Sequence, residues 1–290
     1  MTLKQTLGVV FQQEDLNFLL TNRLPRRVLT QFMGWFSRLQ HPLIRIPSLW
    51  LFRLFADDLE LAEAKKRSFL SLHDCFIREL KATARPIDPS PRTVVSPCDA
   101  VVGASGQVKE EELFQAKGFP YRLPDLLHDP ELVRRYANGR YVTLRLKASM
   151  YHRFHAPYDC RVDRLTYISG DTWNVNPIAL QRVASLYTKN ERAIIETTLE
   201  TGHRLTLVPI AAVLVASMRF TFVDATFHLK YKGPNVIPCG TRLNKGQEMG
   251  WFEHGSTIIV FAPEGFESTS NIREGARLRY GEPLFSLPDE

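Results

Sequence analysis

Long apolar runs are missing from this chain of 290 residues. No stretch reaches the roughly 20 apolar residues that a membrane-spanning helix needs. The best candidate, LTLVPIAAVLVASM at 205–218, is too short and contains Pro209. A bilayer crossing is therefore not expected, although attachment to a bilayer surface stays open. Cysteine is sparse too. Cys75, Cys98, Cys160 and Cys239 lie far apart with no C-x-x-C pair, which argues against a disulfide-stapled secreted scaffold and for a reducing cytosol. The first twenty residues hold Glu14 and Asp15 and lack a basic stretch ahead of an apolar core, so no cleaved targeting segment is expected. Internal repeats and low-complexity tracts are also lacking. The excess of one charge is modest, with 37 Lys and Arg against 31 Asp and Glu, or +6. That balance suits an anionic partner such as phosphate, nucleic acid or lipid headgroups without requiring one.

What the chain does hold is core-forming material. It is 44% hydrophobic and 11% aromatic, enough for one large domain or a core with an appendage. The first ninety residues differ in texture from the rest. In RRVLTQFMGWFSRLQ, the apolar Val28, Leu29, Phe32, Met33, Trp35, Phe36 and Leu39 recur at helical spacing, with Arg26, Arg27 and Arg38 off that stripe, which reads as an amphipathic helix. SLWLFRLF after Pro47 and LAEAKKRSFLSLHDCFIREL also read as helical. Such helices ordinarily cover their own core. Their aromatics, combined with Arg23, Arg26, Arg27, Arg38, Arg45 and Arg53, favour docking on an anionic membrane, where each basic group contributes about 1 kcal/mol. After the Pro-rich connector ARPIDPSPRT, short strands dominate. YVTLRLKA alternates, with Val142, Leu144 and Leu146 on one face and Thr143, Arg145 and Lys147 on the other, as a half-buried strand would. Similar runs occur at CRVDRLTYI, AIIETTLE, HRLTLVPI, FTFVDATFHLKY and STIIVFAP, and helices at PELVRRYANG and PIALQRVASLY interrupt them. The expected class is α+β: amphipathic helices over residues 1–90, then a β-rich, mainly antiparallel core over 91–290.

Three short stretches carry groups suited to chemistry: SPCDA with Asp99, YHRFHAP with His152 and His155, and EHGST with Ser256. Asp99 after Ser96-Pro97 is by itself an ordinary turn former. Residues three apart point to opposite faces of a strand and share a face of a helix, and Pro157 disfavours helix at Ala156. The two histidines therefore serve one site only if the chain bends between them; otherwise one belongs to a structural hydrogen bond. Ser256 follows Gly255 at the entrance to an apolar run, unlike the G-x-S-x-G elbow of hydrolases, which leads into a helix. A serine hydroxyl there is placed to attack the carbonyl of the preceding residue, and a glycine at that point hinders it least. Such an attack requires a base and a group that orients the base.

FIREL with RPID, SPCDA, YHRFHAP, NER at 190–192, KGQEMGWFEHGSTIIV and YGEPL occur in one order along nearly the whole chain. In this the sequence resembles the phosphatidylserine decarboxylases, with YHRFHAP and EMGWFEHGST the most specific segments. The resemblance implies a proenzyme that cuts itself between Gly255 and Ser256 into a large chain of residues 1–255 and a small chain of 256–290. Ser256 attacks the Gly255 carbonyl, His155 removes its proton, and Asp99 orients His155 and stabilises its cation, as in other triads. The ester then undergoes β-elimination, which releases the Gly255 carboxylate, and hydrolysis of the eliminated residue gives a pyruvoyl group at position 256, the cofactor. Its carbonyl forms a Schiff base with the serine amine of phosphatidylserine and takes up the electrons released with CO2, giving phosphatidylethanolamine. His152 is implied in decarboxylation and proton return, so that the two histidines act in different phases.

The resemblance further implies work in phospholipid biosynthesis, and the lack of a targeting segment together with the scattered cysteines leads to the expectation of a peripheral protein on the cytoplasmic face of the cell membrane. Its partners would be the lipid substrate, an anionic surface and its own two chains; a homo-oligomer is compatible with this, and no metal or nucleic acid is expected. The sequence departs from the family at Ala100, where glycine is common, at His254, where leucine is commoner, and at Leu72-His73 in place of Phe-Asn. Two competing readings remain: a metal-dependent hydrolase using His152, His155, Asp99 and His254, without the H-E-x-x-H pattern, and an unprocessed relative that binds lipid without catalysis.

Overall fold

A computed structural model describes residues 25–56, 59–116, 119–212, 217–228, 231–253 and 256–289. Arg23, His254 and Gly255 lie outside the described residues. A nine-stranded sheet forms the centre. Its middle strand, Ser256–Ala262, runs antiparallel between Arg140–Leu146 and Arg204–Ala211. Arg192–Leu199 and Cys160–Ile168 extend the sheet on one side and Ala100–Gln107 on the other, all antiparallel. The middle strand carries no charge and a run of β-branched residues, Thr257, Ile258, Ile259 and Val260, whose stiff side chains suit a pleated, enclosed backbone.

Alternate residues of that strand enter two separate cores. Ile258 and Val260 pack with Leu144, Phe154, Met218 and Phe252, a core shared with a four-stranded sheet of Arg153–His155, Ser217–Phe220, Val223–His228 and Glu248–Phe252. Ile259 and Phe261 pack with Leu126, Tyr136, Leu180 and Leu186, which belong to the helices Leu123–Leu127, Pro130–Tyr136, Pro177–Arg182 and Leu186–Lys189. Helices thus cover a mainly antiparallel sheet rather than alternate with its strands, and the α+β class holds. In the smaller sheet Gly250 permits close approach: a Cβ there would stand 2.1 Å from the Arg219 carbonyl oxygen. The four cysteines are free thiols.

Ahead of this core lie helices α1 (Arg26–Phe36), α2 (Pro42–Phe55) and α3 (Leu72–Phe76). Arg26 fastens the start of α1 to the core, pairing with Asp171 at 2.6 Å and stacking on Trp173 at 3.7 Å. The large apolar side chains of α1 and α2 are unevenly covered, and Trp35 and Trp50 are each 60% exposed. Among the described residues no helix is long and apolar enough to cross a membrane.

Three local expectations are corrected. Arg140–Leu146 is not half-buried, since Thr143 is as enclosed as Val142; the alternation holds, but helices, among them Pro130–Tyr136 just before the strand and Pro177–Arg182 after it, cover the second face. The second helix starts at Pro42 rather than after Pro47, because proline suits a first helical position and the His41 ring nitrogen accepts from the Leu43 N–H. The segment after Leu61 is mostly not helical. It doubles back on itself through Lys65 N–H to Glu79 O and Lys81 N–H to Glu63 O, each 2.9 Å, which uses the backbone groups that a helix would need. Only α3 survives, capped by the Ser71 hydroxyl.

Candidate active site

Ser256 opens the middle strand, paired with Leu146 on one side and Ala211 on the other. Its side chain is wholly buried, and its Oγ has no hydrogen-bond partner among the described residues. A buried hydroxyl without a partner forgoes roughly 1–3 kcal/mol, which marks the position as retained for something other than stability.

The segment containing Asp99 and the one containing His155 lie side by side, joined by His155 N–H to Pro97 O at 2.8 Å and Val95 N–H to Pro157 O at 2.9 Å. The side chains are not bonded to each other. Asp99 accepts from Arg85 Nε at 3.0 Å, from Arg85 Nη2 at 2.6 Å and from the Tyr280 N–H at 2.9 Å. Arg85 in turn meets Glu60 at 3.0 Å and Glu63 at 2.6 Å. His155 is stacked on the Tyr280 ring at 4.0 Å and 8°. Its Nε2 lies 3.4 Å from the Tyr151 hydroxyl, and its Nδ1 is buried with no hydrogen-bond partner among the described residues. Tyr280 therefore touches both groups, through its backbone and its ring. Burial pushes the His155 imidazole down to about 3, so the ring is neutral near pH 7 and resists a proton as it stands.

His152 immediately precedes the strand Arg153–His155, and its carbonyl accepts from the Phe252 N–H at 3.0 Å; the backbone thus continues the ladder, and the rings have separate neighbours, Phe76 for His152 and Tyr151 and Tyr280 for His155. Its Nδ1 lies 2.9 Å from the Met150 carbonyl oxygen. A carbonyl only accepts, so Nδ1 carries a hydrogen and donates it there. The Phe76 ring packs on the imidazole with centroids 4.0 Å apart. Phe76 also lines a cavity of about 620 Å³, together with Met33 of α1, Phe52 of α2, Leu72 of α3, Leu146 and Ser256. This volume lies within the range of small-molecule sites. The NER motif braces the same wall: Asn190 donates to Trp173 O and Ala211 O, each at 2.9 Å.

Among residues that no spacing rule points to, Glu253 stands out. It is 5% exposed and receives Arg38 Nη2 at 2.6 Å, with His73 Nε2 at 3.6 Å and Arg219 Nε at 3.8 Å. Burial alone would raise its carboxyl, but His73 and Arg38 hold it at about 2. Arg85 and Tyr280 sit inside motifs read from the sequence, yet their contacts with Asp99 span 14 and 181 residues, and local pattern does not reveal them. Ala100, the departure from glycine, begins its strand without a positive φ, so the methyl group introduces no backbone strain. Among the described residues no three His, Cys, Asp or Glu side chains gather as a metal site requires.

Comparison with known proteins bears directly on this geometry. The sequence profile of the phosphatidylserine decarboxylase family matches residues 72–286. A phosphatidylserine decarboxylase proenzyme of Haemophilus influenzae is 33% identical over 276 residues, covering 90% of this chain and 92% of its own. Proenzymes of the same description from Brevibacillus brevis and Saccharophagus degradans are 31% and 32% identical, covering 91% and 95% of this chain and 95% and 98% of theirs. The match spans both segments with histidine, the central strand and the strands after it, and on that basis the chain belongs to the phosphatidylserine decarboxylase family.

Proposed function

We propose that the protein is a self-processing decarboxylase that converts phosphatidylserine to phosphatidylethanolamine and CO2, using a pyruvoyl group made from Ser256. The observation that carries this reading is the position of Ser256: an enclosed hydroxyl, without a partner among the described residues, at the mouth of the central strand and on the wall of a mainly apolar cavity. An apolar cavity ending at a reactive position suits a substrate with long acyl chains and a polar head.

In the first phase the Ser256 hydroxyl attacks the carbonyl carbon of Gly255, His155 takes the proton, and the peptide C–N bond gives way to an ester. A neutral ring has a lone pair for that proton, although burial holds His155 down to about 3 and makes it a weak base by itself. A proton on so buried a ring needs a nearby negative charge, and Asp99, which shares Tyr280 with it, is the group that supplies one. A pyruvoyl group at position 256 would supply the electron sink for loss of CO2. Toward it the chain's own residues act in simple ways: His152 holds and returns a proton at Nε2, and Phe76, Phe52 and Met33 exclude water.

Residues 1–90 serve as the docking region and 91–290 as the catalytic core. The exposed Val28, Phe32 and Trp35 of α1 and Leu43, Ile46 and Trp50 of α2 support peripheral attachment at the cytoplasmic face of the membrane. Arg26 and Arg38 do not belong to that lipid-facing set, because Asp171 and Glu253 hold them. Intact mass under denaturing conditions tests the central reading. The parent chain is expected as two pieces, the smaller starting at position 256 with a blocked amino terminus, and Ser256→Ala as one uncut chain without decarboxylation. Cleavage of Ser256→Ala would overturn the mechanism.

A further inference from the structure

We infer that Glu253 is a positioning residue for the self-cleavage and that Arg38, at the end of α1, holds it there, so that the amino-terminal helices take part in processing. This rests on the proposed cut between Gly255 and Ser256. The two sides of that bond are anchored differently. On the serine side the anchor is the central strand, paired with both neighbours from Ser256 onward. On the other side the strand Glu248–Phe252 ends one residue before Glu253. Beyond that strand end the chain is held by the Glu253 N–H to Ser217 O, at 3.2 Å, and by the side chain of Glu253.

That side chain has an unusual setting. Arg38 comes from just beyond α1, His73 from α3 and Arg219 from the strand Ser217–Phe220, and all three converge on one enclosed carboxylate. Burying a carboxylate is unfavourable unless charge partners hold it in place, and a purely apolar residue would close the strand end more simply. A cluster drawn from three separate elements fixes position, and position is what a hydroxyl attacking an adjacent carbonyl requires, since displacement by about 1 Å slows such reactions on the order of a hundredfold. His73, one of the departures from the family pattern, here meets the residue two places before Gly255.

The structure also provides an internal control. Among the ties of α1 are two ion pairs, Arg26 to Asp171 at its start and Arg38 to Glu253 past its end, the latter beside the His73 N–H bonded to Ser37 O at 2.8 Å. Both ties secure the helix, but only the second reaches the segment that is cut.

The test follows cleavage of the full chain after pulse-labelled cell-free synthesis. Glu253→Gln and Arg38→Gln are each expected to slow cleavage about tenfold, the double variant no more than either alone, and Arg38→Lys to restore most of the rate. Arg26→Gln is expected to stay within about twofold of the parent. Placed in the Ser256→Ala background, Arg26→Gln and Arg38→Gln should lower the thermal midpoint equally, so a cleavage defect confined to Arg38→Gln is not a folding defect. Equal slowing by Arg26→Gln, or parental speed of Arg38→Gln, would overturn the inference. A parent chain that never cleaves would instead overturn the self-processing reading beneath it.

Discussion

The central strand Ser256–Ala262 and the helices α1 and α2 are two opposite uses of apolar residues. In the strand every side chain is buried, and its two faces feed two separate cores. In the helices, tryptophan and leucine stand in solvent, with Leu43 81% exposed. Hydrophobicity alone does not separate the two regions; the strand has neighbours on all sides, whereas the helices have them on one. The strand thus lies inside the fold, whereas the helical face is exposed among the described residues.

Substitutions can break this contrast, beginning with the strand. Ile258→Ala is expected to destabilise the protein by about 2–5 kcal/mol, read as a lowered denaturation midpoint with unchanged slope. Acidification should come next. His155 falls from an ordinary 6.5 to about 3 in the fold, so the native state resists a proton that the unfolded chain accepts, and its contribution to stability is lost as pH drops through that window. Glu253 falls from 4.5 to about 2, so its contribution, present above the unfolded value, is lost in turn between those values. Thermal midpoints of the Ser256→Ala precursor should therefore decline from about pH 6.5 downward, and Glu253→Gln should flatten the lower part of the curve.

The helical side predicts the reverse pattern. Replacing Trp35 and Trp50 together with alanine should change stability by no more than about 0.5 kcal/mol. It should, however, weaken sedimentation with anionic vesicles about tenfold. Equal losses of stability and binding would erase the distinction between the two regions. The smallest effect is expected at Lys65–Glu79, an exposed pair at 2.8 Å. Lys65→Ala should alter the midpoint by less than about 1 kcal/mol, and less still at high salt.

Much of the strand framework was legible because alternation and turn residues are local signals. CRVDRLTYI, AIIETTLE and STIIVFAP all became strands. Where the reading failed, packing against other elements decided the outcome: helices from 123–136 and 177–189 cover the second face of Arg140–Leu146, and self-pairing around Ala64 and Leu80 displaced an expected helix. The site divides the same way. The segments with Asp99 and His155 were recognisable from short motifs, whereas Arg85 on Asp99, Tyr280 on His155 and Arg38 on Glu253 join residues far apart in sequence. Charge pairs of this kind depend on how the chain returns to itself, which no window of ten residues contains.

The place of Ser256 in the sheet has a further consequence. A break before it leaves every rung of the central ladder intact, and the piece from 256 onward also contributes Arg277–Leu278 beside Ala100 and Pro283–Ser286 beside Thr93–Val95. The two products would be interlocked like the halves of one fold, with separation equivalent to denaturation. A protomer that matured would keep its own fragment for life, and a mixture of cut and uncuttable molecules would exchange no parts.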